Sequence, residues 1–215
     1  MDFIITSFYT ENTPYETEAL RLKSSLESFN IPFYIEPIKN LGSWVKNCNY
    51  KSEFCKKMLK TYNMPIVWVD CDAEVLKYPQ LFNELDDYDM AVATSHKLSN
   101  PTEILSGTLF FNNTPGAITL LDKWIEECKL NPVKWDQKNL QKVLGDCTNQ
   151  IKVFDLPPGY AKIFDNNSIP EEECIGQFEW ADLEVCLHRA FDNDDEEEDA
   201  NRKADVEENG ELNKL

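Results

Sequence analysis

The sequence predicts an α/β fold: a mixed, mostly parallel sheet flanked by helices, in a single domain that ends in an acidic tail. Three observations carry this reading. The first forty residues alternate strand, helix and strand, the usual opening of a parallel sheet. A later apolar run, Ile66-Val67-Trp68-Val69, reads as a buried strand and passes directly into two carboxylates in Asp70-Cys71-Asp72. Strands and helical repeats continue to about residue 191, and from Asp192 onward acidic runs replace the apolar residues.

Residues 3–7 read as a short apolar first strand ending in hydroxyl side chains. In Thr13-Pro14-Tyr15-Glu16 the threonine suits an N-cap, the proline the first helical position and the glutamate the far corner of a capping box, so a helix starts there. Ala19, Leu22, Leu26 and Phe29 repeat at helical spacing and mark its buried face; Asn30 ends it. Residues 33–38 form the second strand and 41–44 a loop. A helix over 50–62 turns Phe54, Met58, Leu59 and Tyr62 inward and several lysines outward. Pro65 starts the central strand, where its missing N–H is tolerated. A short helix follows Tyr78, and 90–94 is another strand. Residues 105–112, Leu-Ser-Gly-Thr-Leu-Phe-Phe-Asn, read as a glycine turn into a strand, with Gly107 serving either close approach to a ligand or a bulge. Pro115 opens a helix with Ile118, Leu121, Trp124 and Ile125 inward, and 136–144 is a helix with Leu140, Val143 and Leu144 inward. Strands over 151–154 and 183–187 complete the order.

With 42% apolar residues, 12 Phe, 8 Tyr and 5 Trp, the chain of 215 residues can bury a sizeable core. Its formal charge of −18 divides unevenly: residues 192–215 hold eleven acids and three bases, leaving 28 acids and 18 bases, or −10, in residues 1–191. Such a body gives no support to broad binding of a phosphate backbone. Lys46, Lys51, Lys56, Lys57 and Lys60 nevertheless cluster within fifteen residues, opposed only by Glu53. The seven cysteines have no C-x-x-C or zinc-like spacing and read as reduced thiols. No apolar run approaches the roughly 18 residues of a membrane span, and the N-terminus does not resemble a signal peptide. A cytoplasmic protein is expected.

Ligands of open α/β sheets sit at the carboxyl ends of strands. Asp70 and Asp72, two apart on extended backbone, point the same way, and two adjacent anions call for a cation or a shared proton. Hard oxygens suit magnesium or manganese, whose shells are completed by water and substrate phosphates. Two solvated turn carboxylates would give the same pattern. His188 and Arg189, at the end of the last strand, fit a third metal ligand and a phosphate clamp, and equally an ordinary histidine; His96 is a weaker candidate. Asp136-Gln137 either caps a helix or presents a carboxylate and an amide to an acceptor hydroxyl. No P-loop, dinucleotide fingerprint or G-x-S-x-G elbow is present.

In that order, the apolar strand ending in Asp-x-Asp, Ser106-Gly107-Thr108-Leu109-Phe110-Phe111-Asn112, Asp136-Gln137 at a helix start and the late His188 resemble a GT-A glycosyltransferase over residues 2–191. The likeness is to the short nucleotide-diphospho-sugar transferases of soluble bacterial and phage type. It implies a Rossmann-like GT-A domain over 1–191, followed by a disordered acidic tail over 192–215. It further implies that Asp70, Asp72 and His188 hold manganese or magnesium on the diphosphate of a sugar nucleotide. Thr6, Ser7 and Tyr9 would hold the nucleoside, Lys51 would meet the diphosphate or the ribose, and Arg189 would meet the diphosphate. Asp70, Ser106, Gly107 and Thr108 would line the donor, and Asp136 and Gln137 would act between donor sugar and acceptor. The Asp-Gln likeness leans towards retention of anomeric configuration. The His-x-x-Gly-x-x-Lys-Pro-Trp ending of glycogenin-like relatives is absent, since His188 is followed by Arg189-Ala190-Phe191. The expected reaction moves a sugar to a hydroxyl of a glycan, a protein or a modified DNA base. Two alternatives stand beside it. A haloacid-dehalogenase-like phosphatase also puts Asp-x-Asp after a strand, but Glu74 stands where that family wants Thr or Val. A non-catalytic interaction protein would use the acidic tail.

Overall fold

The computed structural model describes residues 3–95, 102–147 and 150–161. In chain order these hold β1 (Ile4–Thr10), α1 (Tyr15–Ser28), β2 (Phe33–Ile38), α2 (Trp44–Tyr62), β3 (Ile66–Val69), β4 (Met90–Thr94), β5 (Ile104–Phe111), α3 (Pro115–Leu130), α4 (Asp136–Asp146) and β6 (Val153–Asp155). Single 3₁₀ turns occur at Gln80–Glu84 and Pro158–Tyr160. The six strands form one sheet in the order β2-β1-β3-β5-β4-β6. β1 runs parallel to β2 and β3, and β4 parallel to β6, while β5 is antiparallel to both its neighbours. The architecture is the expected mixed, mostly parallel sheet with flanking helices.

Alternation along the strands sorts the core into two layers. Ile4, Phe8, Ile66, Trp68 and Leu109 face α2, α3 and α4, where Phe54, Leu121, Trp124 and Leu140 meet them. Ile5, Val67, Val69, Ala91 and Phe110 face the other way, onto Leu22 and Leu26 of α1, Phe82 and Tyr160. Each such large side chain, fully buried, contributes roughly 1.5–3 kcal/mol. The sequence periodicity named most of these residues. Phe29, Tyr62, Ile118, Ile125 and Leu144 are only half-buried, at the margins of their helix faces.

Several local expectations differ from the structure. Thr13 does not cap α1. Its hydroxyl turns back to donate to the Thr10 carbonyl at 2.6 Å, Pro14 takes the position before the helix, and the cap has no side-chain hydrogen bond. α2 begins at Trp44, six residues earlier than its apolar repeat indicates, because the Ser43 hydroxyl accepts from the Lys46 N–H. Gly107 lies inside β5 rather than in a turn before it. The expected strand over 183–187, the tail over 192–215, His96, His188 and Arg189 lie outside the described residues.

Candidate active site

The chain leaves β1 through α1 to reach β2 on one side, then returns through α2 to β3 on the other. α1 and α2 pack on opposite faces of the sheet. The carboxyl ends of β1 and β3 therefore flank a crevice at a topological switch point, the usual ligand position in such sheets. Tyr9 and Thr10 from β1, Asp70 and Asp72 after β3, and the α2 face line this cleft, with Ser106, Gly107 and Thr108 of β5 and Asp136 and Gln137 of α4.

At its centre is a buried charge cluster. Asp70 continues the alternation of Ile66 and Trp68, so it points towards α2. There its Oδ1 lies 2.9 Å from Lys51 Nζ and accepts from the Trp68 indole N–H at 2.8 Å. The same ammonium lies 2.9 Å from Asp136 Oδ2 and donates to the Ser106 carbonyl at 3.3 Å. It also stands 5.1 Å from the Trp68 ring centroid. Lys51 is 5% exposed and Asp136 3%. Burial alone pushes the Lys51 ammonium towards neutrality; the Asp136 and Asp70 carboxylates outweigh it, and its pKa stands well above the usual lysine range. Asp136 Oδ2 makes no hydrogen bond of good geometry, so its contact with Lys51 is one of charge and distance. The Asp136 carbonyl accepts from the Trp124 indole N–H at 3.0 Å, which fixes the start of α4 on the core.

The third wall is a bulge. Val92 pairs with Leu109 but Ala93 pairs with Leu105, so Ser106, Gly107 and Thr108 swing out of register with β4. They remain joined to the other neighbour, with Val69 opposite Thr108 and the Asp70 N–H donating to the Gly107 carbonyl at 2.9 Å. Bulges re-aim a strand next to a site in this way. Gly107 lies directly beside Asp70 Oδ2: a Cβ there would stand 3.4 Å from that oxygen, in van der Waals contact. The bulge is bracketed by Gln137, whose Oε1 accepts from the Ser106 N–H at 3.1 Å while its Nε2 donates to Glu103 at 3.3 Å.

The family model of nucleotide-diphospho-sugar transferases matches residues 41–178, more than half of the chain. The chain belongs to that family. Solved glycosyltransferases share the fold of this transferase. One is involved in the glycosylation of the major capsid of PBCV-1: TM-score 0.66 at 13% identity, covering 95% of this chain and 100% of that one. GlyE of Streptococcus pneumoniae TIGR4 gives 0.54 at 14% identity, over 90% of this chain and 55% of that one. Mouse xyloside xylosyltransferase 1 gives 0.53 at 11% identity, over 90% and 99%. No curated protein matches the chain.

Within the transferase, the structure brings together most of the residues expected from sequence. Tyr9, Lys51, Asp70, Asp72, Ser106, Gly107, Thr108, Asp136 and Gln137 share the one cleft. Thr6 and Ser7 do not line it: both are fully buried within β1, and the Thr6 hydroxyl donates to the Val67 carbonyl. Asp72 reaches the cleft by a different route from the one expected. β3 ends at Val69 and a tight turn follows, with the Ala73 N–H donating to the Asp70 carbonyl, so strand alternation does not govern Asp72. The basic cluster is largely consumed. Lys56 pairs with Asp122, Lys57 with Glu36 at 2.7 Å, and Lys51 is internal, while Lys129 from α3 neutralises Glu53.

GT-A transferases commonly use a divalent metal. The donor set here fits one with oxygen preference. Asp70 spends Oδ1 on Trp68 and Lys51, leaving Oδ2 beside Gly107, and Asp72 lines the same space. Among the described residues no three His, Cys, Asp or Glu gather as a closed cage. Two carboxylates with the rest of the shell left to water and phosphate is the manner of magnesium and manganese. Cys71, between them, is a poor thiolate: burial first, then Asp72 and Asp70, push its thiol well up. Sequence reasoning missed Trp44, Trp135 and the Trp68 N–H. A helix begun at Ser43 would have put Trp44, Asn47, Cys48 and Lys51 on one face.

Proposed function

We propose that the cleft transfers a sugar from a nucleotide-diphosphate sugar to an acceptor hydroxyl, with manganese or magnesium held by Asp70 Oδ2 and Asp72. The observation that carries this reading is the convergence of both carboxylates, the open Gly107 bulge and the Lys51–Asp136 pair at the switch point of the sheet. When bound, the metal supplies Lewis-acid stabilisation of the charge that grows on the diphosphate as the glycosidic C–O bond breaks.

The remaining work falls to the chain's own side chains. Lys51 offsets Asp70 and Asp136, so three carboxylates around the donor do not simply repel the diphosphate. Asp136 lines the cleft with Oδ2 held against Lys51, and its carboxylate is read as the group between donor sugar and acceptor. Gln137 holds the Ser106–Thr108 bulge and so acts as a positioning residue, since both ends of its amide are engaged. Tyr9 and Thr10 at the end of β1 meet the nucleoside. His188 as a third metal ligand and Arg189 on the diphosphate complete the reading, with residues 1–191 as the catalytic unit. A cytoplasmic location is part of the same proposal; no helix among the described residues is long and apolar enough to cross a membrane.

The test is thermal unfolding of the full chain against a panel of nucleoside diphosphates and their sugars, with and without manganese. A ligand at a hundred times its Kd adds about 2.7 kcal/mol to the folded state. For a domain of this size that raises Tm by roughly 5–11 °C. A rise with one nucleoside diphosphate, dependent on the metal, is expected. A rise only with magnesium and a phosphate mimic would replace the transferase reading with a phosphatase.

A further inference from the structure

Past the donor groups, the cleft is walled by two indoles. Trp44 opens α2, and Trp135 stands at the N-cap of α4, directly before Asp136. Their ring centroids are 6.4 Å apart with planes at 59°, and both half-buried rings line the cleft. Trp44, Asn47, Cys48 and Lys51 occupy one face of α2. Seven residues separate Trp44 from Lys51, so the rim lies about 10 Å along the helix from the charge cluster. Trp135 is steadied by Lys138, whose ammonium is 5.6 Å from the ring centroid and pairs with Glu103.

We infer that this notch is an acceptor subsite for an uncharged saccharide. The inference rests on the donor reading above and names the substrate class of the same site. An indole face is electron-rich, while one face of a sugar ring carries electron-poor C–H groups. Stacking the two buries apolar area and leaves the hydroxyls round the ring edge free for polar partners, of which Asp136 is the next residue in the chain. At 6.4 Å and 59° the two rings are in tilted contact with each other, so they form one aromatic wall against which a sugar ring can lie and not two plates between which a flat base is sandwiched. Charge points the same way. Lys51 is spent on Asp70 and Asp136, and the cleft lining holds no second lysine or arginine among the described residues to receive an anionic acceptor. The lysines Lys56 and Lys57, which would otherwise attract a nucleic-acid backbone, are already paired with Asp122 and Glu36.

The experiment follows the indole N–H signals of the ¹⁵N-labelled full chain by NMR while adding methyl glycosides of neutral hexoses and pentoses and their disaccharides. It is run with and without magnesium, which is diamagnetic, and the nucleoside diphosphate that gives the largest thermal shift. At least one neutral glycoside should move the Trp44 and Trp135 signals and leave those of the buried Trp68 and Trp124 in place. Trp135→Ala should weaken that binding at least tenfold and Trp135→Phe, which keeps a ring, less than threefold. Trp44→Ala serves if Trp135→Ala does not fold, and the wild-type shifts need no variant. The inference is overturned if no neutral glycoside moves the two indoles while nucleoside diphosphate binds normally. It is equally overturned if the nucleoside diphosphate itself, a Ser/Thr peptide or a hydroxymethylcytosine oligonucleotide moves them instead. If no nucleotide binds at all, the donor reading fails on its own measurement, and the indole signals still judge the notch.

Discussion

Replacing Lys51 by methionine keeps the length and apolar stem of the side chain and deletes the cation between Asp70 and Asp136. The two carboxylates respond differently. The Asp70 side chain is 40% exposed, so water screens it and its share of the loss is about 1 kcal/mol or less. The Asp136 side chain is 4% exposed and cannot recover its hydration without moving the start of α4. Removing one partner of such a buried pair costs about 3–5 kcal/mol, a large share of the roughly 5–15 kcal/mol of a typical domain. The assay is urea unfolding between roughly pH 5 and pH 9, where a lower midpoint at unchanged m reads as lost stability. In the wild type, the Lys51 pKa is raised above its ordinary 10.5, so its contribution is fully present below that value and is lost only as pH rises through the folded-state pKa. The wild-type curve should therefore be flat on this account across the range. In Lys51→Met the buried Asp136 carboxylate is left without its counter-ion, and the deficit is read at pH 8. Adding Asp136→Asn should restore most of the stability without restoring activity. A single variant as stable as the wild type at pH 8, or a deficit that Asp136→Asn does not relieve, would refute the reasoning.

Asp72→Ala changes a half-buried turn residue and should leave Tm nearly unchanged while abolishing the manganese-dependent part of nucleotide binding; unchanged metal dependence by calorimetry would remove Asp72 from the site. Trp68→Phe deletes the indole donor to Asp70 and should cost about 2–3 kcal/mol in urea. It should also weaken metal-assisted binding, whereas Phe82→Leu, in the layer on the opposite face of the sheet, should destabilise without touching binding. Gly116→Ala would bring a Cβ within 2.5 Å of the Asp89 carboxylate, which is pinned by Thr114 at 2.6 Å and the Lys152 N–H at 2.8 Å. A loss of about 1–3 kcal/mol is expected, and an unchanged Tm would show that Asp89 yields freely.

Much of the fold was legible locally because burial repeats along the chain. The stripe of Ala19, Leu22 and Leu26, the run Ile66–Val69 and Pro115 at a helix start each carry their own period or cap. The Asp-x-Asp marked a candidate site because two adjacent anions call for a cation or a shared proton, and two solvated turn carboxylates give the same pattern. Where a local signal had competition it misled: Thr13 had a nearer acceptor in Thr10, and Ser43 capped α2 ahead of any apolar repeat. What lay beyond the sequence depended on which strands become neighbours. Lys51 sits on a helix rich in lysines, and although the family likeness singled it out for the donor, nothing local paired it with a carboxylate. Only the placement of β3 beside β5, with α4 folded back over both, puts Asp70 and Asp136 on either side of its ammonium. The same packing sets Trp44 against Trp135, ninety-one positions apart, and joins Lys57 to Glu36. Strand order is chosen by burial summed over the whole sheet, and no single stretch of residues encodes that sum. The sequence therefore determined which groups could do chemistry, and the tertiary structure decided which of them meet.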